Sequence, residues 1–329
     1  MSKWTSFKNQ GMLFENWRKF VNEEEGDTAQ PGLPDDFSEH DVVSAVDFLN
    51  SDFGKDPKVR AVLGAGEDDG LPNDEKIEVN ENATPLVGAL SPTQNEISLM
   101  QSIGYPLSTF DSVTNSLTGD ITGKGMKIVT AGNLVIDGHH RWSSAWATAG
   151  EKVKINAVDI QLPGKGPLNK LAVAQVAIVA TMEPDAGDVP KATTGGEEGA
   201  KPDNILGSDA ATIKQMILDR EGRQVPDAGI LLGPEYLQKI VHVEAAQRLW
   251  GLKPGMSPEQ TKEQIVNVIS NNLANLPKPQ GPKRDYMPQF DGGQTHKGQV
   301  SMGDVIAKMK AGDVNYKSAY RVMKKQDVE

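Results

Sequence analysis

Residues 127–150 (KIVTAGNLVIDGHHRWSSAWATAG) constrain the fold of this chain more than any other stretch. A short β-branched run leads into a Gly132-Asn133 turn, and a second strand follows at Leu134, Val135 and Ile136. The polar loop Asp137-Gly138-His139-His140-Arg141 comes next, and then a helix closed by Gly150. In that helix Trp142, Ala145, Trp146 and Ala149 fall at i, i+3, i+4 and i+7, which predicts one core-facing stripe. The two tryptophans are therefore read as core residues rather than as a stacking platform. A strand-to-helix junction aims backbone N–H groups and a helix N-terminus outward, so it is a natural place to hold an anion.

The chain of 329 residues has room for two domains, or for one with large appendages. Apolar residues make up 37% and aromatics 5%, low for a compact globule, so much irregular chain is expected beside the core. Cysteine is absent, which excludes disulfides, thiolate zinc sites and cysteine nucleophiles and fits a reducing compartment. No apolar run reaches the length of a membrane span, and the N-terminus lacks the apolar core of a secretory signal. These features predict a cytoplasmic protein without a membrane partner. Residues 1–80 carry 8 Lys/Arg against 18 Asp/Glu, which disfavours a general nucleic-acid binder. Residues 281–329 reverse the balance, with 9 against 6, most simply as a solvated face.

Residues 1–30 are expected to hold an amphipathic helix or tag, with an apolar face of Trp4, Phe7, Leu13, Trp17 and Phe20 on 3–25 that could meet a protein partner. Residues 31–84 read as an acidic, partly helical linker region, with a short helix over 41–53 and loop over 64–84. Ser91-Pro92-Thr93-Gln94 reads as a helix start, Ser91 as N-cap and Pro92 in the first turn, with the helix running to Gly104. Alternation predicts a strand over 153–160, and 171–182 favours helix. The main folded unit is bounded at 85–182, followed by a linker at 183–204 and a helical region at 205–276 with helices at 208–220, 235–250 and 258–274. A Pro-rich segment and a terminal helix from Met302 to Met323 complete residues 277–329.

The run Asp137, Gly138, His139, His140, Arg141, Trp142, Ala145, Gly150 resembles the ParB/sulfiredoxin superfamily, and within it the branch of free-serine kinases and related phage proteins. The likeness covers about residues 85–162. It implies an α/β (α+β) fold, a small mixed-sheet domain with helical N- and C-terminal extensions. It also implies ATP or another nucleotide as ligand, with Mg2+, and phosphotransferase chemistry on a small hydroxyl acceptor or a protein. On this reading Gly138, His140 and Arg141 bind the phosphates, together with Thr93 and Gln94 of the upstream segment. The residue chemistry agrees. Arg141 offers a planar fork of donors, the histidines can donate or shuttle protons, and Gly138 permits close backbone approach. Asp137 can hold a metal ion or orient a histidine, so Asp137, His139 and His140 are the candidate catalytic groups.

The departures sharpen this expectation. Sulfiredoxins place their redox cysteine where this chain has His139, so reductase chemistry is excluded. The Gly-Glu-Arg-Arg motif of ParB partition proteins survives only as Gly138 and Arg141. Where the serine kinases carry a glutamate base, this chain has Gln94, an amide without useful basicity, which leaves Glu96 as the nearby carboxylate. A His-His pair at a turn is, taken alone, ordinary surface chain. A histidine metal centre is disfavoured, because His40, His242 and His296 are scattered. Two further functions stay open. One is a non-catalytic phage accessory or virion component, suggested by an N-terminus resembling the starts of some tailed-phage proteins and by Leu13-Phe14-Glu15, which fits a prohead-protease pattern. The other is a DNA-binding or nuclease role by analogy with ParB. Host cytoplasm or the virion is the corresponding location.

Overall fold

The computed structural model describes residues 76–94, 96–108, 127–162, 203–221, 232–279 and 301–314, together with helical positions between 170 and 181. The amphipathic stretch 3–25 and the helix candidate 41–53 lie outside the described residues, as does 280–300. The described chain forms an α/β fold around a five-stranded mixed sheet. Its strands are β1 (Val79–Ala83), β2 (Ser91–Pro92), β3 (Ile128–Ala131), β4 (Leu134–Asp137) and β5 (Ala157–Ile160), in the spatial order β1-β5-β3-β4-β2. β1–β5 and β3–β4 are antiparallel, whereas β3–β5 and β2–β4 are parallel.

The central hairpin forms as the sequence predicts. Gly132 takes a left-handed conformation (φ 64°), which the tight turn requires, and Ala131 pairs with Leu134 across it. Asp159 on β5 secures the turn: its Oδ1 accepts from Gly132 N and from Thr130 Oγ1, both at 2.8 Å. All four residues of β3 are buried, as befits a β-branched run in a central strand. Further along, the β3–β4 register slips. Val129 pairs with Asp137 while Thr130 pairs with Val135, so Ile136 is the extra residue of a bulge. The bulge lies at the mouth of the polar loop.

The helices are α1 (Leu99–Ser108), α2 (His139–Ala149), α3 (Ala210–Leu218), α4 (Pro234–Val241), α5 (Glu244–Trp250), α6 (Pro258–Ala274) and α7 (Met302–Ala311). α2 ends at Gly150, as expected. It is buried more widely than one stripe, however. Trp142, Ala145 and Trp146 face the core, but Ser143, Ser144, Ala147 and Thr148 are buried as well, because α1 and α6 pack on its other sides. Trp142 and Trp146 meet edge to face at 5.5 Å, and the Trp142 indole N–H donates to Val87 O at 3.0 Å. The Trp250 indole donates to Thr148 O at 3.0 Å, and Asn272 Nδ2 donates to Ala147 O at 2.9 Å, so the last turn of α2 is tied to α5 and α6. One hydrophobic core therefore runs from Val87 through the sheet and α2 to Leu273.

Several boundaries differ from the sequence reading. Ser91 and Pro92 are not a helix start. They form β2, a two-residue edge strand parallel to β4, where a proline that lacks an N–H costs little. α1 begins only at Leu99 and passes through Gly104 to Ser108, with Pro106 inside it. The 64–84 stretch, expected as loop, supplies β1 at Val79–Ala83. The regular strand predicted for 153–160 begins at Ala157. The single helix expected over 235–250 is two, broken at His242–Val243. α3 and α6 lie where predicted. α3 is capped by Asp209, and α6 by a Ser257–Gln260 capping box. Residues 173–174, 177–178 and 180–181 are helical, as expected for 171–182. α7 stops at the left-handed Gly312, eleven residues before Met323, and residues beyond 314 lie outside the described chain. Among the described residues, no helix is long and apolar enough to cross a membrane.

Candidate functional site

β4 delivers Asp137 to the end of the sheet, and α2 starts two residues later. Between them Gly138 is left-handed (φ 86°), and a Cβ there would lie 2.8 Å from Ile128 Cγ2 and 3.3 Å from the Arg141 guanidinium carbon. Both the dihedral and the space require glycine. The N-cap residue, Gly138, contributes no side-chain cap and the first turn of α2 holds no acid, so the positive end of an 11-residue helix lies beside Arg141 without a local carboxylate in its own first turn. The first backbone bond of the helix runs from Trp142 N to Gly138 O at 3.0 Å.

Arg141 is oriented by two contacts. Nη1 donates to Lys127 O at 2.5 Å, and Nη2 lies 3.4 Å from Asp137 Oδ2. The guanidinium side chain is 20% exposed and the carboxylate 44%, so the pair sits at the surface and adds little to stability. A guanidinium has five N–H donors, so Arg141 retains capacity for an incoming oxyanion. Asp137 is the one acid in the loop. Among the described residues no three His, Cys, Asp or Glu side chains form a metal-sized group. A Mg2+ ion held chiefly by phosphate oxygens and water needs only one or two protein carboxylates, which Asp137 fits.

The histidines face inward along the preceding segment. His139 is 3% exposed, and its Nε2 accepts from Thr93 N at 3.1 Å. Thr93 Oγ1 sits 3.2 Å from the same nitrogen and donates to Val135 O at 2.6 Å. His140 Nε2 accepts from Ser98 N at 3.2 Å. A backbone N–H can only donate, so each Nε2 carries a lone pair and each neutral ring bears its proton on Nδ1. The His-His pair thus clamps residues 93–98 to the start of α2. Of the residues expected to face phosphate, Thr93 is fully buried and uses both its N–H and its hydroxyl within the protein. Gln94 and Glu96 are half-buried in the clamped segment. The expected contribution of N–H groups from a helix start at Pro92 does not exist, because Thr93 N belongs to His139.

The structure adds partners that sequence reasoning missed. Residues 203–204, read as linker, dock on the far side of the clamped segment. Asp203 O accepts from Leu99 N at 2.8 Å, and Asn204 Oδ1 accepts from Ile97 N at 3.0 Å. The Asp203 carboxylate accepts from Ser98 Oγ at 2.6 Å and lies 3.6 Å from Arg220 Nη1. The only sequence signal was an Asp-Asn pair between a proline and an apolar residue, a composition that competes for local backbone bonds. Comparison with family models, with curated proteins and with solved structures found no match to this chain.

Proposed function

We propose that this protein binds a nucleotide, ATP with Mg2+ foremost, at the Asp137–Arg141 loop of a ParB/sulfiredoxin-like fold. One observation carries the reading: the β4–Gly138–α2 junction brings the N-terminal end of a helix, a partly exposed arginine and a half-exposed carboxylate to one point. The helix end and the Arg141 fork suit phosphate oxygens, and Asp137 suits the accompanying magnesium. Gly138 lets the phosphates approach the backbone. The phosphotransferase form of this reading moves the terminal phosphoryl group to a small hydroxyl acceptor or a protein, with Glu96 as the nearby carboxylate and positioning as the main source of rate.

A second reading, binding without turnover, is favoured by the engagement of both histidine Nε2 atoms and by the amide at Gln94. Neither imidazole can take a proton at Nε2 without losing its backbone donor. A phage accessory or virion component that keeps the fold as a nucleotide-dependent or purely structural element fits this reading. DNA binding is the weakest of the three, given the acidic residues 1–80.

Titration calorimetry with ATP and Mg2+ tests the site. Wild-type protein binds, and Arg141→Ala loses binding while keeping its fold by circular dichroism. Unchanged affinity in that variant overturns the assignment. Transfer of labelled phosphate to a hydroxyl acceptor separates the first reading from the second.

A further inference from the structure

The candidate loop is not a self-contained motif. Its second histidine ends on the backbone of Ser98, and the Ser98 hydroxyl ends on the Asp203 carboxylate 105 residues later in the chain. That carboxylate is nearly enclosed, 16% exposed, and faces Arg220 just beyond α3. The Asp203 main chain holds the same segment through Leu99 N, and Ile205 N donates back to Ile97 O at 3.0 Å. Residues 97–99 are thus gripped from both sides, by α2 on one and by 203–205 on the other.

We infer that Asp203 is a positioning residue of the nucleotide site, acting through Ser98 and His140. This inference rests on the nucleotide reading above and extends it: the C-terminal helical region is part of the binding unit. The physical argument is directional. Ser98 offers its N–H to His140 and its O–H to Asp203 from a single residue, so moving the hydroxyl's acceptor moves the amide's. The imidazole of His140 belongs to the first turn of α2, where the phosphates would sit. The ion pair with Arg220 fixes the carboxylate from behind. By reciprocity, nucleotide bound at the loop tightens the hold on residues 203–220 to the same degree.

The test measures ATP affinity of the full chain by calorimetry, each variant held well below its own melting temperature. Asp203→Ala weakens binding by about tenfold, within the usual range of coupling between linked sites. Asp203→Asn, which keeps an acceptor for Ser98 Oγ, restores most of that loss. His140→Ala and the double variant His140→Ala/Asp203→Ala bind alike, because the effect of Asp203 passes through His140. Asn272→Ala at the other end of α2 lowers the melting temperature and keeps wild-type affinity. Wild-type affinity in Asp203→Ala, or full additivity with His140→Ala, overturns the inference and leaves the nucleotide reading standing. An equal affinity loss in Asn272→Ala assigns the effect to general stability and also overturns it. A wild-type chain that binds no ATP overturns the nucleotide reading and this inference with it.

Discussion

The Ser144 hydroxyl on α2 donates to the main-chain oxygen of Ser102 on α1 at 2.5 Å. Ser102 is four residues before Pro106, which lacks the N–H that would otherwise close that helical turn. A side chain from one helix therefore satisfies the carbonyl that a proline leaves open in another. Beside it the Ser102 and Ser143 hydroxyls meet at 2.7 Å. This small polar contact lets α1 and α2 pack closely and keeps buried oxygens paired.

Ser144→Ala removes the donor and leaves a buried carbonyl unsatisfied, which should cost about 1–3 kcal/mol. In a Pro106→Ala background the backbone supplies an N–H to the same oxygen, and the cost of Ser144→Ala should fall below about 1 kcal/mol. Urea unfolding of the four proteins measures the cycle. Equal costs in both backgrounds would remove Pro106 from the explanation.

Two glycines in left-handed conformation separate dihedral strain from lack of space. A Cβ added at Gly132 would come no nearer than 3.6 Å to its closest neighbour, Lys170 Nζ, whereas one added at Gly138 would lie 2.8 Å from Ile128 Cγ2. Asparagine tolerates the left-handed region, so Gly132→Asn should unfold near the wild-type denaturant midpoint. Gly138→Asn should lose roughly 1–3 kcal/mol through overpacking against Ile128. Similar midpoints for the two variants would mean that space at Gly138 is not limiting.

His139→Ala strands the buried Thr93 N–H and should destabilise the fold by about 1–3 kcal/mol. The local signature is faster hydrogen exchange at Thr93 than at Ser98, which His140 still holds. Uniform acceleration of both amides would show that the two histidines act as one unit.

Burial pushes the Tyr236 phenol above its ordinary value, and its hydroxyl donates to Pro106 O at 2.5 Å. The folded state thus holds this proton more tightly than the unfolded chain does. That stability is fully present below about pH 10, the ordinary tyrosine value, and is lost as pH rises beyond it, by up to about 1.4 kcal/mol per pH unit. Tyr236→Phe should cost about 1 kcal/mol at neutral pH through the lost hydrogen bond. It should also flatten the alkaline limb of the stability curve. Parallel curves above about pH 10 would assign the alkaline loss to other groups.

The central hairpin and α2 were legible because their signals are local: a Gly-Asn turn, β-branched flanks and a closing glycine. The Ser91–Gln94 segment misled for a physical reason. Ser-Pro-Thr has the chemistry of a helix start, but Thr93 finds its partners in His139 and Val135, more than forty residues away. Pairing across that distance outweighs local capping. The same holds for Asp203 and Asn204, whose partners lie about a hundred residues upstream in a segment whose local signals read as helix. The break at His242–Val243 carries neither glycine nor proline, so only packing of Tyr236, Ile240 and Trp250 into the common core defines it. Asp137 to Arg141 could be singled out from residue types alone. That both imidazoles turn inward to clamp backbone could not.

The core that joins Val87 to Leu273 has a bearing on how the molecule comes into being. A ribosome releases the sheet and α2 long before Trp250 and Asn272, the residues that close over the last turn of that helix. Until then Ala147 and Thr148 lack the partners that close over them, and the loop at the front of α2 lacks Asp203. The nascent N-terminal half must wait for its C-terminal helices, so premature termination anywhere before α6 should leave the outer face of α2 uncovered rather than give a smaller complete domain.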